Sequence, residues 1–294
     1  MPLPVTLIAG YLGSGKTTLV NYLLRNAKGC RLAVLVNDFG DLPIDADLIE
    51  ADDGTVVQIA GGCVCCAYGG NLSRALASVL EMRPRPNHVL IEASGVSLPG
   101  SIAATVELTA GLWFNGTLVL ADAEQIRRNA ASSYLADTIT RQLRQGDLLI
   151  LTKPDLVPDE ELAATANWLE TIAPRRPVVH AQFGAVPVDV ALGSLSAHGA
   201  GPADKFNGHS RFKSVVLRPE RPVDAEAMAS ALAANPGVAR AKGFVLTPSG
   251  YALLHVVGPR YTVESIACSH PIGVVCIGLD AELELDCGFE SQIA

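Results

Sequence analysis

The segment Gly10–Thr17 matches in full the phosphate-binding pattern G-x-x-x-x-G-K-[ST]. It directly follows a short apolar stretch, Pro4–Ala9, and it opens a stretch with helical periodicity, Thr17–Ala27. A loop of this kind works only between a strand and a helix, because backbone N–H groups and the helix N-terminus bind the phosphates together. The pattern therefore predicts an α/β domain that binds a nucleoside triphosphate.

Residues of this loop and of the first helical turn are expected to contact the nucleotide: Gly10, Gly13, Ser14, Gly15, Lys16, Thr17 and Thr18. The glycines let the backbone wrap closely around the phosphates, and Lys16 is expected to bridge the terminal phosphates during catalysis. The Thr17 hydroxyl is expected to bind Mg²⁺. A chance glycine-rich turn is the alternative, and the complete pattern between a strand and a helix disfavours it.

A carboxylate closes a second apolar stretch. Glu92 lies at the end of His88–Ala93, where P-loop enzymes place an acidic side chain near the metal and the γ-phosphate. A strand-end carboxylate that caps the next helix is the alternative. Beside a phosphate-binding loop the catalytic interpretation is favoured, and Glu92 is the second catalytic candidate.

The tetrapeptide Thr152-Lys153-Pro154-Asp155 also follows an apolar stretch and resembles the N/T-K-x-D motif of GTPases. In that motif the Asp accepts hydrogen bonds from the guanine ring N–H and the exocyclic amine, a pair of donors that adenine does not present. Thr152 stands where Asn is commoner and offers a hydroxyl instead of an amide. The motif predicts GTP rather than ATP, with Thr152, Lys153 and Asp155 at the base.

Apolar stretches alternate with amphipathic ones over the first 183 residues, which predicts a doubly wound, mostly parallel α/β sheet. Residues 184–210 are rich in Gly, Ala, Pro and Ser and are predicted to be a linker. Residues 211–294 are predicted to form a smaller α+β domain. The predicted strands are Pro4–Ala9, Leu32–Asn37, Thr55–Ala60, His88–Ala93, Thr117–Asp122, Leu148–Lys153, Pro177–Gln182, Phe212–Leu217, Arg240–Leu246, Tyr251–Val257 and Ile272–Gly278.

Composition excludes several classes of protein. Hydrophobic residues make up 49% of the 294 residues and charged residues 18%, which excludes wholesale disorder. The net charge of −8 argues against nucleic-acid binding. No apolar run approaches the ~20 residues that span a bilayer, and the start lacks the basic region of a secretion signal. We expect a cytoplasmic protein that binds neither membrane nor nucleic acid.

Three of the seven cysteines, Cys63, Cys65 and Cys66, fall within four residues. Three thiolates can converge on one soft or borderline cation such as Zn²⁺ or Cu(I), and they leave a fourth position of a tetrahedral ion open. An open position suits a site that passes its metal on. Buried apolar thiols and a regulatory redox pair are the alternatives.

The order of these motifs resembles the CobW-like P-loop GTPases, a family of metallochaperone type. Besides the motifs above, Asn37–Asp45 resembles that family's switch segment, with Asp38 and Asp41 where Glu is usual, and Arg240–Phe244 matches the R-x-K-G-F signature of its C-terminal domain. The resemblance implies a GTPase whose nucleotide cycle controls the binding of zinc, or cobalt, and its delivery to a client metalloprotein or cofactor-synthesis enzyme. It also makes Asp38 a candidate ligand of Mg²⁺ or of the carried metal.

Two other functions stay open at this point: a P-loop kinase or ATPase with structural cysteines, and a GTPase switch with a redox-sensing cysteine cluster. The predicted linker holds only His198 and His209, so it lacks the His-rich run of many relatives. Hydrolysis is expected to be slow without a partner, because no residue identifies itself as an arginine finger. The sequence leaves homo-oligomerisation open.

Overall fold

The structure is a computed structural model that describes residues 2–27, 29–36, 55–58, 70–193, 212–267, 271–279 and 291–292. A seven-stranded sheet forms its N-terminal part, with spatial order β3-β2-β4-β1-β5-β6-β7 and all pairs parallel. The strands are β1 (Leu3–Gly10), β2 (Leu32–Val36), β3 (Thr55–Gln58), β4 (His88–Glu92), β5 (Leu112–Asp122), β6 (Leu148–Thr152) and β7 (Val178–Ala181).

Helices cover both faces of this sheet. One apolar cluster contains side chains of α2, α3, α5 and α6, and the other contains side chains of α1 and α7. Burial on both sides explains why the strands read as continuous apolar runs rather than as alternating ones. The helices among the described residues are α1 (Lys16–Asn26), α2 (Gly70–Glu81), α3 (Pro99–Glu107), α4 (Ile126–Ala130), α5 (Ala136–Gln145), α6 (Asp159–Ile172), α7 (Val188–Leu192) and α8 (Ala225–Ala234), with a 3₁₀ turn at Pro154–Leu156.

An antiparallel sheet of order β11-β10-β9-β12-β8-β13 forms the C-terminal part. Helix α8 packs on it around Met228 and Leu232, and the Asp224 side chain caps that helix by accepting from the Ala227 N–H at 3.0 Å. The strands are β8 (Phe212–Leu217), β9 (Val238–Thr247), β10 (Gly250–Val257), β11 (Arg260–Ile266), β12 (Gly273–Leu279) and β13 (Ser291–Gln292).

The structure differs from the sequence prediction in several short elements. Helix α7 lies inside the segment predicted to be a linker, and its buried Val190 and Leu192 join the core beside α1. Five residues are too few to show helical periodicity, which is why the sequence pattern did not reveal it. Strand β11 was missed because it is a mostly exposed edge strand without an apolar face. Strand β5 begins at Leu112 rather than at Thr117.

A buried arginine joins the two sheets. Arg240 of β9 is 3% exposed, and its guanidinium donates to the carbonyl oxygens of Val190 and of Ala191, the latter at 2.7 Å. It also donates to Oδ1 of Asn115 at 3.3 Å. Burial lowers the Arg240 pKa to about 10. The C-terminal sheet therefore contacts the N-terminal part through a buried charged group whose hydrogen bonds are accepted by two backbone carbonyls and an asparagine side chain.

The hydrogen bonds continue from Asn115 into the parallel sheet. Asn115 Nδ2 donates to Thr6 Oγ1 at 2.8 Å and to the Leu192 carbonyl oxygen at 3.0 Å. Thr6 Oγ1 lies 2.8 Å from Nε2 of His88. Because Thr6 accepts from Asn115, its own proton is available for His88, which then accepts as a neutral imidazole. The network from Arg240 to His88 thus crosses from β9 through β5 and β1 to β4.

We expect the stability of the protein to fall as pH decreases below about 6.5, the ordinary histidine value. Burial lowers the pKa of His88 and of His255 to about 3, so below pH 6.5 the unfolded chain binds protons that the native state does not. In this pH range each histidine lowers the free energy of unfolding by up to about 1.4 kcal/mol per pH unit. Urea unfolding of the wild type and of His88→Gln at pH 7.5 and pH 5.5 measures the effect. His88→Gln should lose less stability than the wild type between the two values, and equal losses would contradict the assignment.

Candidate functional site

The phosphate-binding loop connects β1 to α1 in the conformation that the pattern requires. Gly10 has φ +136°, and a Cβ atom there would lie 2.5 Å from the Leu120 carbonyl oxygen, so only glycine lets β1 run this close to β5. Gly15 caps α1 at φ +92°, a left-handed conformation that side chains rarely adopt. The loop therefore places the N-terminus of α1 directly after the end of β1.

The N-terminus of this helix offers donors for an anion. No side chain among the described residues caps the first turn of α1, and the first turn carries no acidic residue. The Ser14 hydroxyl is 2% exposed and has no hydrogen-bond partner in the described part of the chain. Uncapped N–H groups and a buried hydroxyl fit the oxygens of bound phosphates.

Lys16 lies at the start of α1 and is 8% exposed. Its Nζ donates to the Tyr11 carbonyl oxygen at 3.2 Å, across the loop. The ammonium group is thereby held within the phosphate loop rather than in solvent. A positive charge at this position attracts the negatively charged oxygens of a triphosphate.

Glu92 and Thr17 meet at the end of β4. The Thr17 Oγ1 donates to Glu92 Oε1 at 2.9 Å, and Glu92 is 2% exposed. In the sheet, Glu92 lies beside Ile8 of β1 on one side and Val36 of β2 on the other. The two candidates for the magnesium and catalytic roles therefore lie in contact, one on the helix and one on the strand.

The segment after Glu92 is packed tightly against the phosphate loop. A Cβ atom on Gly95 would lie 2.8 Å from the backbone N of Leu12, so a larger residue there would displace the loop. Gln142 of α5 donates through Nε2 to the carbonyl oxygens of Gly95 and Ser97 at 3.0 and 2.9 Å. Sequence analysis did not identify this buried glutamine, because a polar residue in an amphipathic helix is usually on the exposed face.

The motif predicted to select the base follows β6. Thr152 Oγ1 donates to the Ser14 carbonyl oxygen at 2.9 Å, which connects the motif directly to the phosphate loop. Lys153 has a left-handed backbone with φ 56°, and its Nζ lies 2.6 Å from Oδ2 of Asp122. Asp155 is exposed in the 3₁₀ turn. The three residues lie at the same edge of the sheet as Glu92, because parallel strands end together.

Asp122 is a further residue of this site that the sequence analysis did not single out. It ends β5, is 6% exposed, and accepts from the Glu124 N–H at 3.0 Å as well as from Lys153. The signal that could have identified it is the one that identified Glu92, a carboxylate that closes an apolar strand. Its contact fixes the direction of the Lys153 side chain.

Several predicted residues lie outside the described part of the chain: Asp38, Asp41, Cys63, Cys65 and Cys66. Within the described residues, no group of three or more His, Cys, Asp or Glu side chains could hold a metal ion. Neither Cys30 nor Cys276 forms a disulfide, and burial raises the pKa of Cys30 to about 11. The described thiols therefore give no second candidate for a metal site.

Comparison with known proteins settles the family. A family model described as the CobW/HypB/UreG nucleotide-binding domain matches residues 4–180, which is more than half of the chain. A second model, described as the cobalamin synthesis protein cobW C-terminal domain, matches residues 212–283. The chain belongs to the CobW/HypB/UreG family.

Two curated relatives and one solved structure are similar to this chain. The zinc chaperone CobW of a Sinorhizobium species is 26% identical over 304 residues, covering 88% of this chain and 86% of that protein. The zinc-regulated GTPase metalloprotein activator 1 of Schizosaccharomyces pombe is 29% identical over 208 residues, covering 67% of this chain and half (50%) of that protein. The crystal structure of Zn(II)-bound YjiA GTPase from E. coli is 20% identical with a TM-score of 0.49, covering 95% of each chain.

Membership in the CobW/HypB/UreG family confirms three predictions: the resemblance itself, the GTPase activity, and the parallel α/β fold followed by a second, antiparallel-sheet domain. The printed names of these two relatives describe a zinc chaperone and a zinc-regulated GTPase that activates metalloproteins. None of the helices in the described part of the chain has the length and apolarity that a membrane crossing needs. The cytoplasmic location stays a prediction.

Proposed function

We propose that this chain binds GTP and Mg²⁺ at the edge formed by β1, β4 and β6, and that the state of the nucleotide controls a zinc ion bound by Cys63, Cys65 and Cys66. Cobalt is the alternative cargo. The observation that carries the proposal is the Thr17–Glu92 hydrogen bond of 2.9 Å. It brings the magnesium candidate and the acidic candidate together beside the phosphate loop.

Magnesium fits the residues at this position. Mg²⁺ prefers oxygen ligands and is usually held by one or two protein groups together with substrate phosphates. The Thr17 hydroxyl and the Glu92 carboxylate are such groups, and Glu92 is positioned by two neighbouring strands. When bound, the ion would neutralise charge on the β- and γ-phosphates. Lys16 would hold the terminal phosphates, and Glu92 would orient the attacking water.

Guanine selection is assigned to the segment after β6. Asp155 would accept from the ring N–H and the exocyclic amine of guanine. Thr152 acts differently from the commoner asparagine, because its hydroxyl donates to the Ser14 carbonyl oxygen of the phosphate loop. Thr152 therefore connects the base site to the phosphate site through its hydroxyl.

The register of the sheet supports control of the metal by the nucleotide. Val36, the last residue of β2, pairs with Glu92 on one side and with Gln58, the last residue of β3, on the other. Because the strands are parallel, the chain toward Asn37–Asp45 and the chain toward Cys63 both start from the edge that holds Glu92. A γ-phosphate that orders one of these segments can thereby bias the other. We infer that GTP favours zinc binding and that hydrolysis favours its release to a client metalloprotein or cofactor-synthesis enzyme.

We retain the division into a GTPase domain of residues 1–183, a linker of residues 184–210 and a C-terminal domain of residues 211–294, with one adjustment. The packing of α7 supports extending the first domain to Gly193, since Val190, Ala191 and Leu192 are buried in its core. A role for the C-terminal sheet in recognising the client is consistent with its separate fold.

Replacement of Cys65 by serine is expected to weaken zinc binding about 100-fold or more, because a neutral hydroxyl is a much poorer ligand than a thiolate. GDP affinity should not change. Anaerobic competition of the reduced protein with a chromogenic zinc chelator measures the affinity.

Cys30→Ser is the matched control, since Cys30 is a half-buried thiol whose raised pKa keeps it protonated at neutral pH. It should bind zinc like the wild type. Unchanged zinc affinity in Cys65→Ser would contradict the metal site. Absence of zinc binding by the reduced wild type would favour the redox-sensing alternative.

A further inference from the structure

The loop after β7 lies beside the segment that selects the base. Strands β6 and β7 are parallel neighbours, and Thr152 pairs with Ala181. Both strands end at these residues, so Lys153 and Gln182 leave the same edge of the sheet side by side. The segment that follows β7 therefore starts next to the segment that carries Asp155.

This loop is anchored against the start of α1. Gly184 has φ +72°, and a Cβ atom there would lie 2.8 Å from the Thr18 carbonyl oxygen and 2.9 Å from Leu19 Cα. The Ala185 N–H donates to the Gln182 carbonyl oxygen at 3.0 Å and closes the turn. The loop is thus fixed between the base segment and the helix that follows the phosphate loop.

Phe183 lies at the tip of this turn and is 76% exposed. Its φ of 51° is left-handed, which costs a residue other than glycine about 1 kcal/mol or more. A protein gains nothing in stability by holding a phenylalanine in strained backbone and in water. Strain of this kind is found most often where a ligand or partner uses the residue.

Lys153 supplies a second surface at the same edge. It too has a left-handed backbone, with φ 56°, and its Nζ is held by Asp122 at 2.6 Å. Because the backbone and the ammonium group of Lys153 are both fixed, its methylene stem has a set direction and can cover an apolar surface. Lys153 and Phe183 therefore belong to adjacent loops. Asp122 at the end of β5 holds the Lys153 side chain, and the hydrogen bond from Ala185 to Gln182 closes the loop that carries Phe183.

We propose that the Phe183 ring stacks on the nucleobase of the bound nucleotide, opposite the stem of Lys153. This inference rests on the proposed guanine site, in which Asp155 reads the edge of the base. Every base offers an apolar face to an aromatic ring, so stacking raises affinity without choosing between bases. Phe183 thus contributes affinity, and Asp155 contributes selectivity.

The test compares a ligand with a base and a ligand without one. Isothermal titration with Mg²⁺ gives the dissociation constants of GDP and of inorganic tripolyphosphate for the wild type, Phe183→Ala, Phe183→Trp and Leu108→Ala. Phe183→Ala should weaken GDP binding about 10- to 100-fold and leave tripolyphosphate binding unchanged. Leu108→Ala is the control, because Leu108 is another highly exposed apolar side chain (87%), directly after α3. It should bind both ligands like the wild type.

Phe183→Trp separates stacking from a merely structural role. It should restore GDP affinity, and its added fluorescence should change with GDP but not with tripolyphosphate. Equal GDP affinity in Phe183→Ala and the wild type would overturn the inference while leaving the GTP site intact. Equal weakening of GDP and tripolyphosphate would also overturn it, because the loop would then act only by supporting α1. A wild type that binds tripolyphosphate but not GDP would overturn the proposed guanine site as well.

Discussion

Replacement of Lys16 by alanine is expected to reduce GTP turnover at least about 100-fold, the typical loss when one donor to the developing charge is removed. Lys16 is 8% exposed and is held at the loop by the Tyr11 carbonyl oxygen. No other described lysine lies in the loop or in α1, so no neighbouring ammonium group can replace it. Single-turnover release of phosphate from GTP measures the effect without interference from product release.

Arg25→Ala is the matched control for Lys16→Ala. Arg25 lies in the last turn of the same helix, far along α1 from the phosphate loop, and is exposed. Its replacement also removes one positive charge, and turnover should stay at the wild-type rate. Normal hydrolysis by Lys16→Ala would show that the phosphate site lies elsewhere.

Replacement of Arg240 by alanine is expected to lower the free energy of unfolding by about 3 kcal/mol or more, because three buried acceptors lose a charged donor. These acceptors are the carbonyl oxygens of Val190 and Ala191 and the Oδ1 of Asn115. Asn115 would then be poorly positioned toward Thr6, so the loss extends into the parallel sheet. Chemical denaturation monitored by tryptophan fluorescence measures the change.

Arg141→Ala provides the comparison for a surface arginine. Its guanidinium lies 3.5 Å from Asp137, and both side chains are more than half exposed. Exposed pairs contribute about 1 kcal/mol or less, so this variant should unfold close to the wild-type midpoint. Similar midpoints for Arg240→Ala and Arg141→Ala would contradict the account of the buried network.

Local patterns in the sequence predicted most of the phosphate edge. The P-loop pattern specifies conformation as well as chemistry, so Gly15 and Lys16 lie where the pattern predicts, at the start of α1. Glu92 was predicted from its place at a strand end, and its contact with Thr17 follows from the parallel pairing of β1 and β4. Such features depend on neighbours within a few residues or on the regular geometry of a sheet.

Contacts between residues that are far apart in the sequence could not be predicted from such local patterns. Arg240 was noticed only as part of a family signature, whereas its partner Asn115 is 125 residues away and lies within an apolar strand. Phe183 directly follows the predicted strand Pro177–Gln182, and neither its left-handed backbone nor its exposure leaves a trace in the sequence. The roles of these residues depend on how two sheets pack and where two loops meet.

In the proposed function, the bound nucleotide controls the affinity for the metal. Reduced protein is titrated anaerobically with Zn²⁺ and with Co²⁺, in parallel with GDP and with a non-hydrolysable GTP analogue, each with Mg²⁺. We expect one equivalent of metal, thiolate-to-cobalt absorption, and tighter metal binding with the GTP analogue than with GDP, by about 5- to 150-fold for a typical coupling. Equal metal affinity in the two nucleotide states would contradict it.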